Sequence, residues 1–184
     1  MLSAPVLDRL IAAVDSCPYG TSAGRKHNHK PQRAPLYTPE EKARRDATPW
    51  TLVQGILAPV QFLVFLISLG LVFNYLATGE GLYLAEVSIV VKTLALYTIM
   101  ITGCIWEYKV YGKYLFAPAF YWEDMFSMLV LALHTAYLGA LFYGWGDTNF
   151  QMWLALAAYA AYVINAGQFI LKLRAARLQA ATGA

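Results

Sequence analysis

Charge is scarce in this sequence, and where it is missing matters more than how much there is. Asp, Glu, Lys and Arg make up 14% of the 184 residues, while hydrophobic residues make up 59%. A soluble domain carries roughly 25% charged and about 45–50% apolar residues. Of the 14 lysines and arginines, eight lie in residues 1–48 and three in residues 172–184, which leaves Lys92, Lys109 and Lys113 for everything between. Such a middle cannot cover itself against water, so lipid is the expected solvent there. The net charge of +3 comes from flanks suited to anionic headgroups, and no nucleic-acid partner is expected.

Cysteine is scarce too. Cys17 falls in a polar flank and Cys104 in an apolar run, which excludes a disulfide framework and reads Cys104 as a small packed hydrophobe. No phosphate-binding loop, zinc-ligand spacing, nucleophile elbow or dinucleotide fingerprint occurs. Of the three histidines, His134 alone falls in an apolar segment, so a haem held by two histidines inside the chain is not expected. Asp8 and Arg9 interrupt the first 16 residues, which do not read as a signal peptide.

Leu2, Val6, Leu7, Leu10, Ile11 and Val14 recur at helical spacing and predict a short amphipathic helix. Residues 16–35, rich in Gly, Pro and charge, read as a flexible linker; His27 and His29 lie in it without a third ligand. Thr38-Pro39-Glu40-Glu41 combines an N-cap, a first-turn proline and a glutamate at N3, the signature of a capping box. Thr48-Pro49 repeats the cap-and-proline signal.

Four apolar segments follow, about 50–77, 86–108, 122–143 and 150–173. Each reaches the ~20 residues that cross a hydrocarbon core. Pro59 should kink the first, Gly79 and Gly81 end it, Gly112 ends the second, and Thr148 to Gln151 reads as a capping box opening the fourth. Tryptophan and tyrosine gather near the segment ends, as interfacial anchoring predicts. Connections 78–85 and 144–149 lack Lys and Arg, whereas 109–121 and both termini are basic. An even number of spans with both termini cytoplasmic satisfies that pattern. The predicted fold is an all-α membrane protein, four helices in an up-down bundle. Its parts are an extension and linker (1–34), the four-helix domain (35–178) and a tail (179–184), in a bacterial inner membrane, cytoplasmic or intracytoplasmic.

Polar residues inside such segments must find partners or line a cavity. Gln54, Gln61, Ser68 and Tyr75 step by sevens down the first, with interhelical hydrogen bonds the plain reading of Gln54 and Ser68. Lys92 has a stem long enough to snorkel, and Glu107 reads as solvated at its helix end. Glu123 and His134 are eleven residues apart, three turns, and so share a face with Ser127 and Val130. Asn165, Gln168 and Lys172 follow one line on the fourth segment. Each helix brings polar groups to one side, which predicts a polar or ligand-filled interior toward the cytoplasmic half.

Three stretches, PLYTPEEKARRDATPWTLVQGILAPVQFLVFLISLGLV (35–72), YLFAPAFYWEDMFSMLVLALHTAYL (114–138) and AAYVINAGQFILKLRAARL (160–178), resemble the 3-vinyl bacteriochlorophyllide hydratases of bacteriochlorophyll synthesis. The resemblance implies addition of water across the 3-vinyl group of chlorophyllide a or its bacteriochlorophyllide counterpart, giving a 3-(1-hydroxyethyl) group. It implies no free cofactor, since magnesium is carried within the tetrapyrrole substrate. Water, the lipid bilayer and other enzymes of bacteriochlorophyll synthesis are the remaining candidate partners. Given that reaction, Glu123 is the first choice for general acid and Asp124 for the base that activates water, with the roles exchangeable. His134 is a candidate axial ligand to the substrate's magnesium or a proton carrier. Gln61, Tyr137, Asn165 and Gln168 are candidates for holding water or ring carbonyls. Lys109, Lys113, Lys172 or Arg174 are candidates for the free propionate. The competing expectation is a non-catalytic pigment-binding or assembly protein, which would need His134 but not the acidic pair. A small transporter ranks lowest, because no repeat relates the first two spans to the last two.

Overall fold

The structure is a computed structural model and describes residues 36–182, with side chains as far as Leu178. The amphipathic helix, the linker, Cys17 and the histidine pair expected before that point lie outside the described residues. Five helices and no strands are found among them: α1 (Pro39–Ala47), α2 (Trp50–Thr78), α3 (Leu82–Tyr111), α4 (Tyr121–Tyr143) and α5 (Thr148–Thr182). α1 is short and polar, and it opens on the expected box. Thr38 Oγ1 accepts from the Glu41 N–H at 3.2 Å, and Glu41 Oε2 accepts from the Thr38 N–H at 2.8 Å. The second cap-and-proline signal works differently. Thr48 closes α1 through its backbone, and Pro49 precedes α2 with no side-chain cap.

α2 to α5 are each long and apolar enough to cross a membrane; even the 23 residues of α4 rise roughly 35 Å. Leu52, Leu63, Ile67, Ile101, Phe142, Ile170 and Leu171 point outward on all four. Water would not tolerate so continuous an apolar exterior, so the lipid-facing reading holds. Two ends differ from expectation. α3 begins at Leu82, just after Gly81 at φ 83°, and takes residues 82–85 of the expected connection into the helix. α5 is capped by Asp147, whose Oδ1 accepts from the Phe150 N–H at 2.8 Å. Gln151, expected in a box with Thr148, instead donates to the Ala140 carbonyl at 3.2 Å.

Successive helices run antiparallel, as their polar contacts show. Thr51, Gln54 and Ser68 on α2 meet Trp106, Thr102 and Ser88 on α3, so partners descend one helix as they ascend the other. α4 and α5 do the same through Glu123–Lys172 and Ser127–Asn165. Bonds of this kind contribute about 0.6 kcal/mol each in lipid, enough to set register over helices whose apolar surfaces offer no preferred rotation. The expected stripe on α2 faces inward: Gln61 and Ser68 are buried, Gln54 and Tyr75 half-buried. The core between the two helical hairpins is aromatic, with Phe65 at 5.4 Å from Tyr159 and 4.9 Å from Tyr162, ring centre to ring centre.

Candidate active site

Polar side chains collect in two places inside the bundle. The first is the end where α3, α4 and α5 meet the loop between α3 and α4. α4 opens with Trp122 turned outward and Glu123 and Asp124 both buried, since consecutive residues on a helix point about 100° apart. No side chain caps this helix, and two acids in its first turn complement its exposed N–H groups. Glu123 Oε2 accepts from Lys172 Nζ at 2.6 Å. Asp124 Oδ2 accepts from the Phe116 N–H at 2.7 Å, and Glu107 Oε1 accepts from the Ala117 N–H at 2.6 Å.

Those two neighbouring N–H groups point into the bundle because Phe116 adopts φ 60°, a left-handed conformation that a bulky residue takes up only when its surroundings hold it there. Bound to adjacent N–H groups, the carboxyls of Glu107 and Asp124 are neighbours. Lys172 Nζ lies 4.8 Å from the centre of the Phe120 ring, and Phe120 packs on Trp106 and Phe169. The acids therefore sit beside an aromatic wall.

One turn deeper, Asn165 Nδ2 donates to Ser127 Oγ at 2.8 Å. Asn165 Oδ1 and Gln168 Oε1 find no hydrogen-bond partner among the described residues, so acceptor capacity is left over along this line.

The second collection lies at mid-depth. His134 is fully buried, with its Nδ1 2.8 Å from the Val130 carbonyl. That contact makes Nδ1 the donor and leaves Nε2 with a lone pair and no partner. Tyr159 stands 5.8 Å from it, ring to ring, and its hydroxyl bonds Ser68, which also bonds Ser88. Lys92 does not snorkel. It is fully buried, with Nζ 3.9 Å from the centre of the Tyr162 ring. Tyr137 OH and Gln61 Nε2 are likewise buried without partners.

The structure thus brings Glu123, Asp124 and Lys172 together, with Asn165 and Gln168 next to them, and gathers His134 and Tyr137 elsewhere. Asp124 and His134, ten residues apart on α4, are separated by roughly 15 Å of helix rise. Lys172 is engaged by Glu123, whereas Lys109, Lys113 and Arg174 are exposed near the same end. Two residues were misread from the sequence. Glu107 was read as solvated and is buried beside Asp124; Lys92 was read as snorkelling and is enclosed. Glu107 had a signal, since it ends a face shared with Cys104; Lys92 had none beyond its depth.

Fold and site together define a four-span membrane protein whose interior carries a cluster of carboxyl groups at one end and an unpartnered imidazole at mid-depth. Residues 37–175 match the family model for 2-vinyl bacteriochlorophyllide hydratase. A 2-vinyl bacteriochlorophyllide hydratase of Rhodobacter capsulatus is 69% identical over 152 residues, covering 83% of this chain and 88% of that one. The protein of the same name from Cereibacter sphaeroides is 71% identical over 143 residues, covering 78% and 89%. The chain belongs to the 2-vinyl bacteriochlorophyllide hydratase family; the 2-vinyl group of that name is the 3-vinyl group in current macrocycle numbering. No solved structure matches it.

Proposed function

We propose that this chain hydrates the 3-vinyl group of a chlorophyllide-type macrocycle to a 3-(1-hydroxyethyl) group, as a step of bacteriochlorophyll synthesis. The observation that carries the reading is the family match over residues 37–175, with relatives of that name about 70% identical. The chemistry asks for an acid, an acceptor for water's proton, and a site that excludes bulk solvent. The vinyl π pair takes a proton at the terminal carbon, leaving a cation on the carbon attached to the ring, where the conjugated macrocycle spreads the charge. A lone pair of water then forms the C–O bond, and the surplus water proton passes to a carboxylate.

Between the two acids, the contacts favour Asp124 as donor, because it is buried with no ion pair among the described residues, whereas Glu123 is paired with Lys172. Glu123, held as an anion by Lys172, suits stabilising the cation and receiving the water's proton. His134 Nε2 remains the candidate axial ligand to the substrate's magnesium, supported by its lone pair and burial. Gln61, Tyr137, Asn165 and Gln168 keep spare hydrogen-bonding atoms for water or ring oxygens. The exposed Lys109, Lys113 and Arg174 suit the propionate better than the engaged Lys172. Basic residues near the termini and in the α3–α4 loop support an orientation with both termini cytoplasmic, in the inner membrane.

The test is to mix membranes containing the chain with chlorophyllide a and follow absorption and mass. Loss of a conjugated double bond should move the long-wavelength band to the blue, and the mass should rise by one water. Pigment that is retained with its spectrum and mass unchanged would point to an escort rather than an enzyme.

A further inference from the structure

Lys92 is the group the proposed chemistry leaves unused. It sits well inside α3, fully enclosed, and its amino group makes no hydrogen bond among the described residues. The two ion pairs found there, Lys172–Glu123 and Arg45–Asp46, lie elsewhere. The Tyr162 ring at 3.9 Å covers one side of the amino group, and ring attraction offsets part of the lost hydration. The N–H groups on the other sides find no acceptor among the described residues. An arrangement like this is costly in lipid, and it persists most economically if a ligand completes it.

His134 describes that ligand further. It lies in the same aromatic core as Lys92, beside Tyr159, while Phe65 touches both Tyr159 and Tyr162, and its Nε2 is an acceptor without a donor among the described residues. The pair therefore asks for a molecule that offers an electron-poor centre to the imidazole and an oxygen acceptor to the amine. A magnesium tetrapyrrole with a peripheral carbonyl carries both on one rigid plane. Tyr137 OH, also buried and unpartnered, is available on the same helix as His134. The hydroxyls of Ser68, Ser88 and Tyr159 are engaged with one another and are not partners for Lys92.

We propose that Lys92 is a substrate-binding residue whose amino group donates a hydrogen bond to a carbonyl oxygen on the macrocycle, while His134 meets its metal. The assignment rests on the hydratase reading for the identity of the pigment, but its readout does not depend on turnover. Water offers the same acceptor chemistry, so the experiment separates the two sources.

The full chain in detergent is loaded with chlorophyllide a, and the ring-carbonyl stretch of bound pigment is recorded by resonance Raman alongside the dissociation constant. In the wild type the stretch should lie below that of pigment in a non-hydrogen-bonding solvent. In Lys92→Met it should return to the solvent value, and binding should weaken about ten- to a hundredfold, the loss expected for a hydrogen bond from a charged donor. Lys92→Gln keeps a donor and should recover part of the frequency shift. A carbonyl stretch and affinity unchanged in Lys92→Met would overturn the assignment. So would lost turnover with both unchanged, which would give Lys92 to water instead. Wild-type pigment that binds with the lowered stretch but is never hydrated would count against the hydratase reading alone.

Discussion

Asp124 carries the heaviest load among single residues, because it touches the loop, a second carboxyl and, in the proposed chemistry, the vinyl group. Asp124→Asn keeps an oxygen for the Phe116 N–H but can no longer pass on an acidic proton. Turnover should fall about 10²- to 10⁴-fold, the usual worth of general acid catalysis, with pigment still bound. Single-turnover kinetics checks it, and undiminished turnover would remove Asp124 from the mechanism. Glu107→Gln should reduce turnover in the same assay, whereas a merely solvated Glu107 would leave it unchanged. The sequence showed Glu123 and Asp124 because two acids beside a tryptophan at a helix start stand out. It hid Glu107, whose partner is a backbone N–H presented by a left-handed phenylalanine. No turn chemistry marks that position, since neither glycine nor asparagine stands there.

Helices were legible as units because the predominantly apolar stretches that form the 23 to 30 residues of α2, α3 and α4 leave little choice in lipid. Their ends were less so. Residues 82–85 looked like connection and are helix; Thr148 looked like a cap, and Asp147 one residue earlier does the capping. The rotation of α3 was hidden as well, because a helix apolar all round does not announce which face meets its neighbours, and Lys92 was misjudged for that reason. Two contacts hold the rotations now seen. Ser68→Ala should remove the link from α2 to Tyr159 and Ser88 and cost about 1 kcal/mol, measurable as earlier unfolding in detergent. Lys172→Met and Glu123→Gln should each loosen α5 from α4 by about 1.5–3 kcal/mol, while the double variant should lose less than the two added together. Strict additivity would mean the 2.6 Å contact does not couple the helices.

At the largest scale, the described membrane-spanning part is two antiparallel hairpins, α2 with α3 and α4 with α5, joined along an aromatic seam. The orientation proposed for it, with both termini cytoplasmic, rests on where lysine and arginine are left out. Glu80, in the connection without basic residues, and Lys113, in the basic one, should therefore face opposite sides. In intact cells an impermeant thiol reagent should label Glu80→Cys and spare Lys113→Cys; the reverse pattern would invert the protein in its membrane. The most direct measurement supplies chlorophyllide a to the purified full chain in water enriched in oxygen-18. The account predicts a product heavier by one labelled water, with the heavy oxygen on the carbon that joins the ring. Pigment recovered at its starting mass after binding, or label on the terminal carbon, would contradict it.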